Sequence, residues 1–373
     1  LLMIKELDGK DISSEQLLKK RYIEKIGNIK NSSELFEKFS PWNDNNLEKL
    51  IDSFFEAVKR DSDGFSWLDV EKGLPISYEK SIRYGIPNHI KGNVDAASLF
   101  FCLVNPNIAA VKTNKEKGIG TYYNRAKKIE SLDESLRVLD AEGKVIKDKE
   151  YLKNHIVDIK ENSSILYNEL IIVRKTRSKK DGYYLEHYLP HFIKEYLNKK
   201  GTFKGVIENA CDKEWDSLEE MSKKIANLES FPFRSQNPNF VKGSSGETNF
   251  TNLLIKSNSK VSLLSARVVI WRIFSYIQKN SSIKPVFIFR RFNTFWLPSI
   301  TKVLENDLNL TSKETNKIIE YLHEEYFLTV RKQEFDGRTG FFGRNFCRNN
   351  KKISDICFEE LVKETLGNIS NGK

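Results

Sequence analysis

The sequence predicts an α/β protein with three layers, in which helices cover both faces of a central, mostly parallel sheet of four strands. Two patterns favour this class. Short, continuous apolar runs are bounded by turn residues, as is typical of strands that are buried on both faces. Segments with apolar residues at helical spacing lie between those runs. At 373 residues the chain is long enough to bury a large core and to hold more than one domain.

The first apolar run is the clearest strand. It covers residues 97–104 and ends abruptly at Asn105 and Pro106, which are ordinary turn formers. Because ligands gather beyond the carboxyl ends of parallel strands, Asn105 is predicted to lie at a ligand-binding edge. The alternative is a core strand that is followed by a simple turn. Three further runs, at 225–235, 285–292 and 327–330, complete the predicted four-stranded sheet.

Capping residues that precede apolar positions at helical spacing predict the helices. In the first 90 residues such patterns begin at Ser32 and at Asp44, so this region is predicted to be helical. Later in the chain, the nearly all-apolar segment 263–277 predicts a buried helix. Thr311 begins another capped helix, and 354–366 form the last one.

Two stretches interrupt this alternation. The polar, glycine-punctuated segment 112–123 predicts a loop that ends in Tyr122 and Tyr123. Residues 130–215 are charged and mixed, and within them 170–173 are compatible with a short strand. The predicted domains are a helical N-terminal region, 1–90, and an α/β domain, 91–373, with a long insertion at about 130–215.

Composition narrows the possible partners. The chain carries 61 Lys and Arg against 51 Asp and Glu, which gives a formal net charge of +10 and a pI of about 9.1. A basic balance favours anionic partners, of which nucleic acid is the commonest. The cysteines include no C-x-x-C pair, which argues for a reducing compartment and against a metal cluster, so no metal and no cofactor is predicted. No stretch approaches the roughly eighteen apolar residues of a membrane span, and we expect a cytoplasmic protein without a membrane partner.

Three separated segments, taken in order, resemble motifs of the uracil-DNA glycosylase superfamily. Residues 103–107, Leu-Val-Asn-Pro-Asn, are similar to the first family motif in the Asn-Pro form of mismatch-specific glycosylases. Residues 340–346, Gly-Phe-Phe-Gly-Arg-Asn-Phe, are similar to the segment after the family's DNA-intercalating loop. The 227–234 strand takes the position of the family's base-reading strand. The resemblance covers residues 95–125 and 222–350, with the insertion between them.

The resemblance implies an enzyme that flips a base out of DNA and hydrolyses its N-glycosidic bond. It assigns Asn105 to holding the attacking water through its side-chain carbonyl. Because Asn cannot take the proton, and general-base help is worth about 10²–10⁴-fold, the enzyme is expected to be slow or to need a good leaving group. The resemblance assigns Tyr122 or Tyr123 to stacking on the flipped base. The alternative is a core or surface tyrosine.

Base reading is assigned to the second predicted strand, which carries Asn227, Glu229 and Phe231. Asn can pair with the edge of uracil as both donor and acceptor. A carboxylate can only accept, for example from the exocyclic amine of cytosine. If Glu229 points into the pocket, a cytosine-type base is therefore favoured over uracil. The alternative is a partly exposed glutamate at the end of a strand.

The resemblance also implies a surface that binds double-stranded DNA. Phe335 aligns with the family's intercalating leucine and is expected to fill the gap left by the flipped base. A solvated basic loop is the ordinary alternative for the residues around it. The predicted phosphate-binding residues are Arg331, Lys332, Arg338, Arg344, Arg234, Ser235, Ser244 and Ser245.

One departure from the family bears on the substrate. The family's His-Pro-Ser loop is absent, and residues 331–334 stand in its place, so the histidine that steadies the departing base is missing. The leading hypothesis is a DNA glycosylase for a modified or mismatched, cytosine-derived base. Hypermodified phage DNA is one candidate target, with a role in antiphage defence. The alternative is a catalytically degenerate protein that binds nucleic acid on the same scaffold. A nuclease is a weaker hypothesis, because no convincing cluster of carboxylates and histidines suggests metal ions.

Overall fold

The computed structural model describes residues 3–5, 11–106, 118–126, 138–235, 250–330 and 345–367 of the chain. Within these residues the protein is a mixed α/β fold with one large, mostly parallel sheet and helices on both faces of it. A separate pair of short strands precedes the first helix. The predicted fold class is confirmed at this level, but the described part of the large sheet has eight strands and not four.

The strands are β1 (Met3–Lys5), β2 (Asp11–Ser13), β3 (Ile90–Lys91), β4 (Leu99–Leu103), β5 (Val157–Asp158), β6 (Ile225–Glu229), β7 (Val286–Arg290), β8 (Phe327–Val330), β9 (Phe346–Arg348) and β10 (Lys351–Lys352). The α-helices are Ser14–Lys25, Ser32–Phe39, Asp44–Arg60, Lys80–Tyr84, Ile119–Ala126, Lys149–Ile156, Ile165–Thr176, Tyr183–His187, Pro190–Tyr196, Phe203–Glu208, Asp212–Ser222, Phe250–Lys256, Lys260–Ile277, Leu297–Lys302, Ser312–Glu325 and Asp355–Thr365. Short 3₁₀-helices lie at Trp67–Val70 and Lys179–Asp181, and π-helical turns at Phe292–Trp296 and Val303–Asp307.

Four neighbouring strands in the middle of the large sheet are parallel, in the order β6-β4-β7-β8. These are the four strands that the apolar runs predict. On one side β3 pairs antiparallel with β6 and parallel with β5, and on the other β9 and β10 continue antiparallel from β8. The additional strands have only two or three residues each, so no apolar run reveals them in the sequence.

Alternate residues of the central strands enter two different cores, because successive strand side chains point to opposite faces. Phe100 and Cys102 of β4 belong to one cluster, which we call the N-terminal core, together with Leu17, Phe54 and Trp271. The helices of the first 90 residues thus share one apolar core with the sheet. Leu99, Phe101 and Leu103 belong to a second cluster, which we call the insertion core, together with Leu170, Phe192, Trp215 and Phe358.

The possible strand at 170–173 is wrong, because these residues belong to the helix Ile165–Thr176. The Ser164 hydroxyl caps that helix by accepting from the Tyr167 N–H at 3.1 Å. Leu166, Leu170 and Val173 are buried, at the spacing of one helical face. A run of four apolar residues fits a buried strand and a half-buried helix equally well, and the cap decides between them.

The predicted loop at 112–123 is wrong in its second half. Its last residues begin the helix Ile119–Ala126, and Asp61 holds the first turn in place. One Asp61 carboxylate oxygen accepts from the Thr121 N–H at 2.7 Å and the other from the Thr121 hydroxyl at 2.7 Å. The stabilising carboxylate is sixty residues away in the sequence, so local patterns do not predict it.

A row of exposed ion pairs joins the N-terminal region to the insertion. The acidic partners lie at every fourth residue of the helix Asp44–Arg60, and the lysines lie on and just before the helix Lys149–Ile156. The pairs are Glu48–Lys153 at 2.6 Å, Asp52–Lys149 at 2.6 Å and Glu56–Lys147 at 3.3 Å. These contacts attach the helix that carries His155 to the N-terminal region.

Candidate functional site

Polar residues follow three adjacent parallel strands at the same edge of the sheet. Asn105 comes two residues after β4, Glu229 ends β6 and Arg290 ends β7. β4 lies between the other two strands, and Leu103 is in register with Glu229. This carboxyl edge is where ligands bind in open α/β sheets. We call the site formed by Asn105, Asn227, Glu229, Arg290, Tyr184 and Tyr188 the sheet-edge site.

Asn105 is fixed through its side-chain nitrogen. Nδ2 donates to the carbonyl of Ser235 at 3.2 Å and to that of Pro106 at 3.1 Å. The Ser235 N–H donates a hydrogen bond to the Pro106 carbonyl at 3.3 Å. Such contacts are those of a turn-capping asparagine, and they also orient the carboxamide. Within the part of the chain that the structure describes, Oδ1 makes no hydrogen bond and can accept one from water.

Glu229 is buried, with only 2% of its surface exposed, so the predicted alternative of a partly exposed strand-end glutamate does not hold. Its Oε2 has no hydrogen-bond partner among the described residues. Burial raises the pKa of Glu229 to about 8, while the positive charges of Arg234 and Arg290 act in the opposite direction. At neutral pH the side chain is therefore mostly a neutral carboxylic acid, which has one O–H donor and one carbonyl acceptor.

Asn227 lies two residues before Glu229 and so points to the same face of β6. Ile225 belongs to the insertion core, whereas Ala226 and Leu228 belong to the N-terminal core, which assigns Asn227 and Glu229 to the insertion side. Asn227 is 5% exposed, and its Oδ1 lacks a partner among the residues described. Two buried oxygen atoms that lack partners among the described residues thus lie on one face of the strand.

Phe231 lies on the other face and does not join the sheet-edge site. Its ring belongs to the N-terminal core and meets the ring of Phe295 edge-to-face, with 6.5 Å between the centroids. The chain leaves the strand after Glu229, so strand alternation no longer predicts the direction of Phe231. The predicted base-binding role has no support from this position.

Tyr122 and Tyr123 are also in the N-terminal core, each with 1% of its surface exposed. The Tyr123 hydroxyl donates to the Tyr84 carbonyl at 2.6 Å, and its ring meets that of Phe54 at 5.5 Å. This position favours the core-tyrosine alternative over stacking on a base. The resemblance matched the two residues by sequence order alone, and the helix Ile119–Ala126 turns them inward.

Two other tyrosines, from the insertion, lie beside Glu229. Tyr184 and Tyr188 stack with their ring centroids 5.4 Å apart and their planes at 29°. The Tyr188 hydroxyl accepts from a guanidinium N–H of Arg290 at 2.8 Å. The pKa values of both phenols are raised, first by burial and in part by the nearby charge of Glu229. Sequence reasoning missed Tyr184, Tyr188 and Arg290, although two tyrosines four residues apart are a signal of one aromatic helix face.

Arg234 and Ser235 were predicted to hold DNA phosphates, but both are buried next to the sheet edge. The Nε of Arg234 donates to the Ile86 carbonyl at 2.7 Å. Ser235 uses its backbone to fix Asn105 and Pro106, as described above. The other predicted DNA-binding residues lie outside the described residues: Phe335, Arg331, Lys332, Arg338, Arg344, Ser244 and Ser245.

The described residues contain no group of three or more His, Cys, Asp or Glu side chains that could hold a metal ion. Among the helices that the structure describes, none is long and apolar enough to cross a membrane.

Comparison with known proteins adds no relative. No protein-family model, no curated protein and no solved structure matches this chain. The likeness to the uracil-DNA glycosylase superfamily therefore depends on the sequence motifs alone.

Proposed function

We propose that this protein is a DNA glycosylase that hydrolyses the N-glycosidic bond of a modified or mismatched, cytosine-derived base. The observation that carries the proposal is the position of Asn105, Glu229 and Arg290 at the ends of three adjacent parallel strands. An extruded base can be read there only if it is held by hydrogen bonds and by an aromatic surface. The partner is double-stranded DNA, and the reaction uses no cofactor.

Base reading is assigned to Glu229 and Asn227, whose buried oxygens lack partners among the residues described. A buried polar atom without a partner costs roughly 1–3 kcal/mol, so a ligand that satisfies it gains affinity. The neutral acid of Glu229 can donate to the ring nitrogen of cytosine and accept from its exocyclic amine. Tyr184 and Tyr188 supply the aromatic surface for stacking.

The bond-breaking step needs water on the sugar side and a means of stabilising the negative charge on the departing base. Asn105 holds the water through Oδ1, because its Nδ2 is occupied by the Ser235 carbonyl. Arg290 supplies positive charge next to Glu229. This charge can stabilise the departing base, which is the role of the family's histidine that this sequence lacks. Water adds to the sugar carbon as the bond to the base breaks, and its proton is lost to solvent and is then regained by the departing base. Since no carboxylate is assigned to take this proton, we expect a slow enzyme or a base that leaves easily.

The proposal is tested by incubating the protein with duplexes that contain uracil, a mismatch or hypermodified cytosine, and by counting abasic sites. Asn105→Ala is expected to abolish the product and to retain DNA binding. Asn124→Ala is the matched control, because Nδ2 of Asn124 also donates to a backbone carbonyl, that of Gly120 at 3.1 Å. Absence of abasic sites on every duplex would overturn the proposal.

One observation favours the alternative of a degenerate scaffold that only binds nucleic acid. Asn105 cannot act as a base, and its contacts with Ser235 and Pro106 suffice to explain it as a structural residue. In that case the wild type and Asn105→Ala bind DNA with equal affinity and neither yields product. Action on hypermodified phage DNA would give the glycosylase a role in antiphage defence, which phage-infection assays with and without Asn105→Ala can check.

A further inference from the structure

A run of aromatic rings leads from the sheet-edge site to the protein surface. Tyr184 and Tyr188 form its inner end, next to the charge of Glu229. The ring centroid of Tyr183 lies 5.5 Å from that of Tyr184 and 6.0 Å from that of Tyr188. His187 continues the run, with its ring centroid 4.5 Å from that of Tyr183 and the two planes at 61°. We call Tyr183, Tyr184, His187 and Tyr188 the aromatic track.

The outer end of the aromatic track is open to solvent. Tyr183 has 52% of its surface exposed, whereas Tyr188 has only 7% exposed. An exposed ring that continues a row of buried rings offers an apolar face to a ligand while its hydroxyl stays in water. Because every nucleobase has a π-face, such a ring can stack on a base whatever the sequence.

Glu169 fixes the direction of the aromatic track. This residue belongs to the helix Ile165–Thr176, and its two carboxylate oxygens accept from the N–H groups of Tyr184 and Leu185, each at 2.9 Å. These N–H groups lie in the first turn of a short helix, where they have no partner within the helix itself. Gly182 lies so close to the helix Ile165–Thr176 that an added Cβ would be 3.0 Å from one of its side-chain carbons. The rings are therefore positioned before a ligand binds, which lowers the entropic cost of binding.

Basic side chains flank the aromatic track. Lys180 precedes it in the chain, Arg291 follows the end of β7, and both are exposed. Of the acidic residues in the same segment, Glu186 pairs with Lys179 at 2.5 Å and Asp181 is exposed. The charge balance among these five residues is positive. Aromatic rings beside basic side chains are the combination with which proteins bind single strands of nucleic acid.

We propose that the aromatic track binds single-stranded nucleic acid, with a base stacked on the exposed ring of Tyr183. We assign this nucleic acid to the DNA strand that carries the substrate base, because Tyr184 and Tyr188 belong to the sheet-edge site. The base next to the substrate base then stacks on Tyr183, so the preferred DNA is unpaired around its target. The stacking site stands on its own, and only its assignment to the substrate strand rests on the proposed function.

The test is fluorescence anisotropy of the full chain with a labelled, single-stranded oligodeoxythymidine. Tyr183→Ala is expected to weaken binding about tenfold, since it removes one stacking partner. Tyr183→Phe keeps the ring and is expected to bind as the wild type does. Tyr78→Ala is the matched control, because Tyr78 is also an exposed tyrosine, with 89% of its surface accessible, in the segment before the helix Lys80–Tyr84.

Three results would overturn the stacking site. They are absence of oligodeoxythymidine binding to the wild type, equal affinity of the wild type and Tyr183→Ala, and an equal loss of affinity in Tyr78→Ala. Tyr183 is half-exposed, so its replacement leaves the core intact and the variant is expected to fold. A loss of affinity in Tyr183→Phe as large as that in Tyr183→Ala would assign binding to the hydroxyl and would also contradict stacking.

A second measurement reports stacking directly. The fluorescent base 2-aminopurine loses emission when it stacks on an aromatic ring, and it can replace each thymine of the oligonucleotide in turn. At one position or more, emission should fall on saturation with the wild type or Tyr183→Phe and should stay higher with Tyr183→Ala. The same emission with Tyr183→Ala and the wild type at every position would contradict a base on Tyr183.

The assignment to the substrate strand is tested with matched ligands. Tyr183→Ala is expected to weaken binding to a duplex with an unpaired bubble around the target base more than binding to the fully paired duplex. Tighter binding of the matching oligoribonucleotide would overturn the assignment to DNA. Equal excision by the wild type and Tyr183→Ala from the bubble would separate the aromatic track from the substrate strand. Single-strand binding without abasic product on any substrate keeps the aromatic track and removes the glycosylase.

Discussion

Arg290 donates a hydrogen bond of 2.8 Å to the hydroxyl of Tyr188. Arg290 ends the central strand β7, and Tyr188 follows the helix Tyr183–His187 of the insertion. This hydrogen bond thus connects the carboxyl edge of the sheet with the insertion. Burial raises the pKa of Tyr188, so the phenol remains protonated and keeps its orientation over the physiological range.

Tyr188→Phe is expected to reduce base excision about tenfold, because Arg290 then loses the contact that positions it. DNA affinity is expected to stay the same, and the free energy of unfolding to fall by about 1 kcal/mol. Single-turnover excision and urea denaturation measure the two effects. Tyr196→Phe is the control, because Tyr196 is equally buried and its hydroxyl donates to the Ser217 carbonyl at 3.1 Å, away from Arg290. Equal excision by both variants would contradict the positioning role.

Tyr184→Leu is expected to weaken binding of duplexes with an extruded base by about 1–3 kcal/mol, the range for loss of one stacking partner. Tyr123→Phe removes the bond to the Tyr84 carbonyl, so it should lower stability by about 1 kcal/mol and leave binding unchanged. Fluorescence anisotropy measures the change in DNA binding, and thermal denaturation measures the change in stability. The opposite pattern would return the stacking role to the helix Ile119–Ala126.

Glu229→Gln is expected to change how stability depends on pH. In the folded protein the pKa of Glu229 is raised from the usual 4.5 to about 8. The stability linked to its protonated form is present below 4.5 and is lost as the pH rises towards 8, at about 1.4 kcal/mol per pH unit. Gln has no such loss, so the variant should gain stability over the wild type as the pH rises.

Urea denaturation at about pH 5 and about pH 9 measures this difference. Glu359→Gln is the control, because Glu359 is an exposed residue of the helix Asp355–Thr365. It should not alter the pH dependence of stability. A constant difference between wild type and Glu229→Gln at all pH values would mean that Glu229 is ionised in the folded protein.

The choice of base should also depend on pH, if the proposed function holds. Below about 8 the acid of Glu229 can donate, so it pairs with the edge of either uracil or cytosine. Above that value the carboxylate can only accept, which leaves the amine of cytosine as its partner. The ratio of cytosine-type to uracil-type excision should therefore rise with pH in competition assays.

Among the described residues, Lys91 and Glu169 also titrate in this interval, since burial lowers the pKa of Lys91 to about 7 and raises that of Glu169 to about 7. Glu229→Gln isolates the contribution of Glu229, because Gln has both a donor and an acceptor at every pH. The ratio should be independent of pH in this variant. A ratio that still rises would assign the effect to Lys91 or Glu169.

The sequence predicts the parts of the fold that are encoded locally. The four parallel strands are apolar runs that end in turn residues, and the helix Ser312–Glu325 carries a capping box in which Thr311 and Glu314 bond each other. The two-residue strands β3 and β5 have no pattern of their own. They exist because the segments beside them are held by packing and by ion pairs from elsewhere in the chain.

The residues of the candidate site also fall into two groups: those that the sequence predicts and those that depend on tertiary packing. Asn105 and Glu229 are predictable because each lies at the end of a recognisable strand. Tyr188 reaches the site only through the packing of the insertion. Its spacing from Tyr184 predicts a shared aromatic face, but it does not predict that this face meets the edge of the sheet. Tyr123 points into the N-terminal core and not towards a base for the same reason: the Tyr84 carbonyl that orients it is distant in sequence.

The row of ion pairs between Glu48, Asp52 and Glu56 and their lysine partners complicates one standard experiment. All of its members except the half-buried Lys153 are solvent-exposed, so added salt weakens the pairs. The helix they secure also carries His155, and loosening it alters the protein itself while counterions compete for DNA. The slope of DNA affinity against salt concentration is usually converted into a number of phosphate contacts. For this protein the slope will overestimate that number. Titration of Lys153→Gln, which lacks one of the ion pairs, serves as the control.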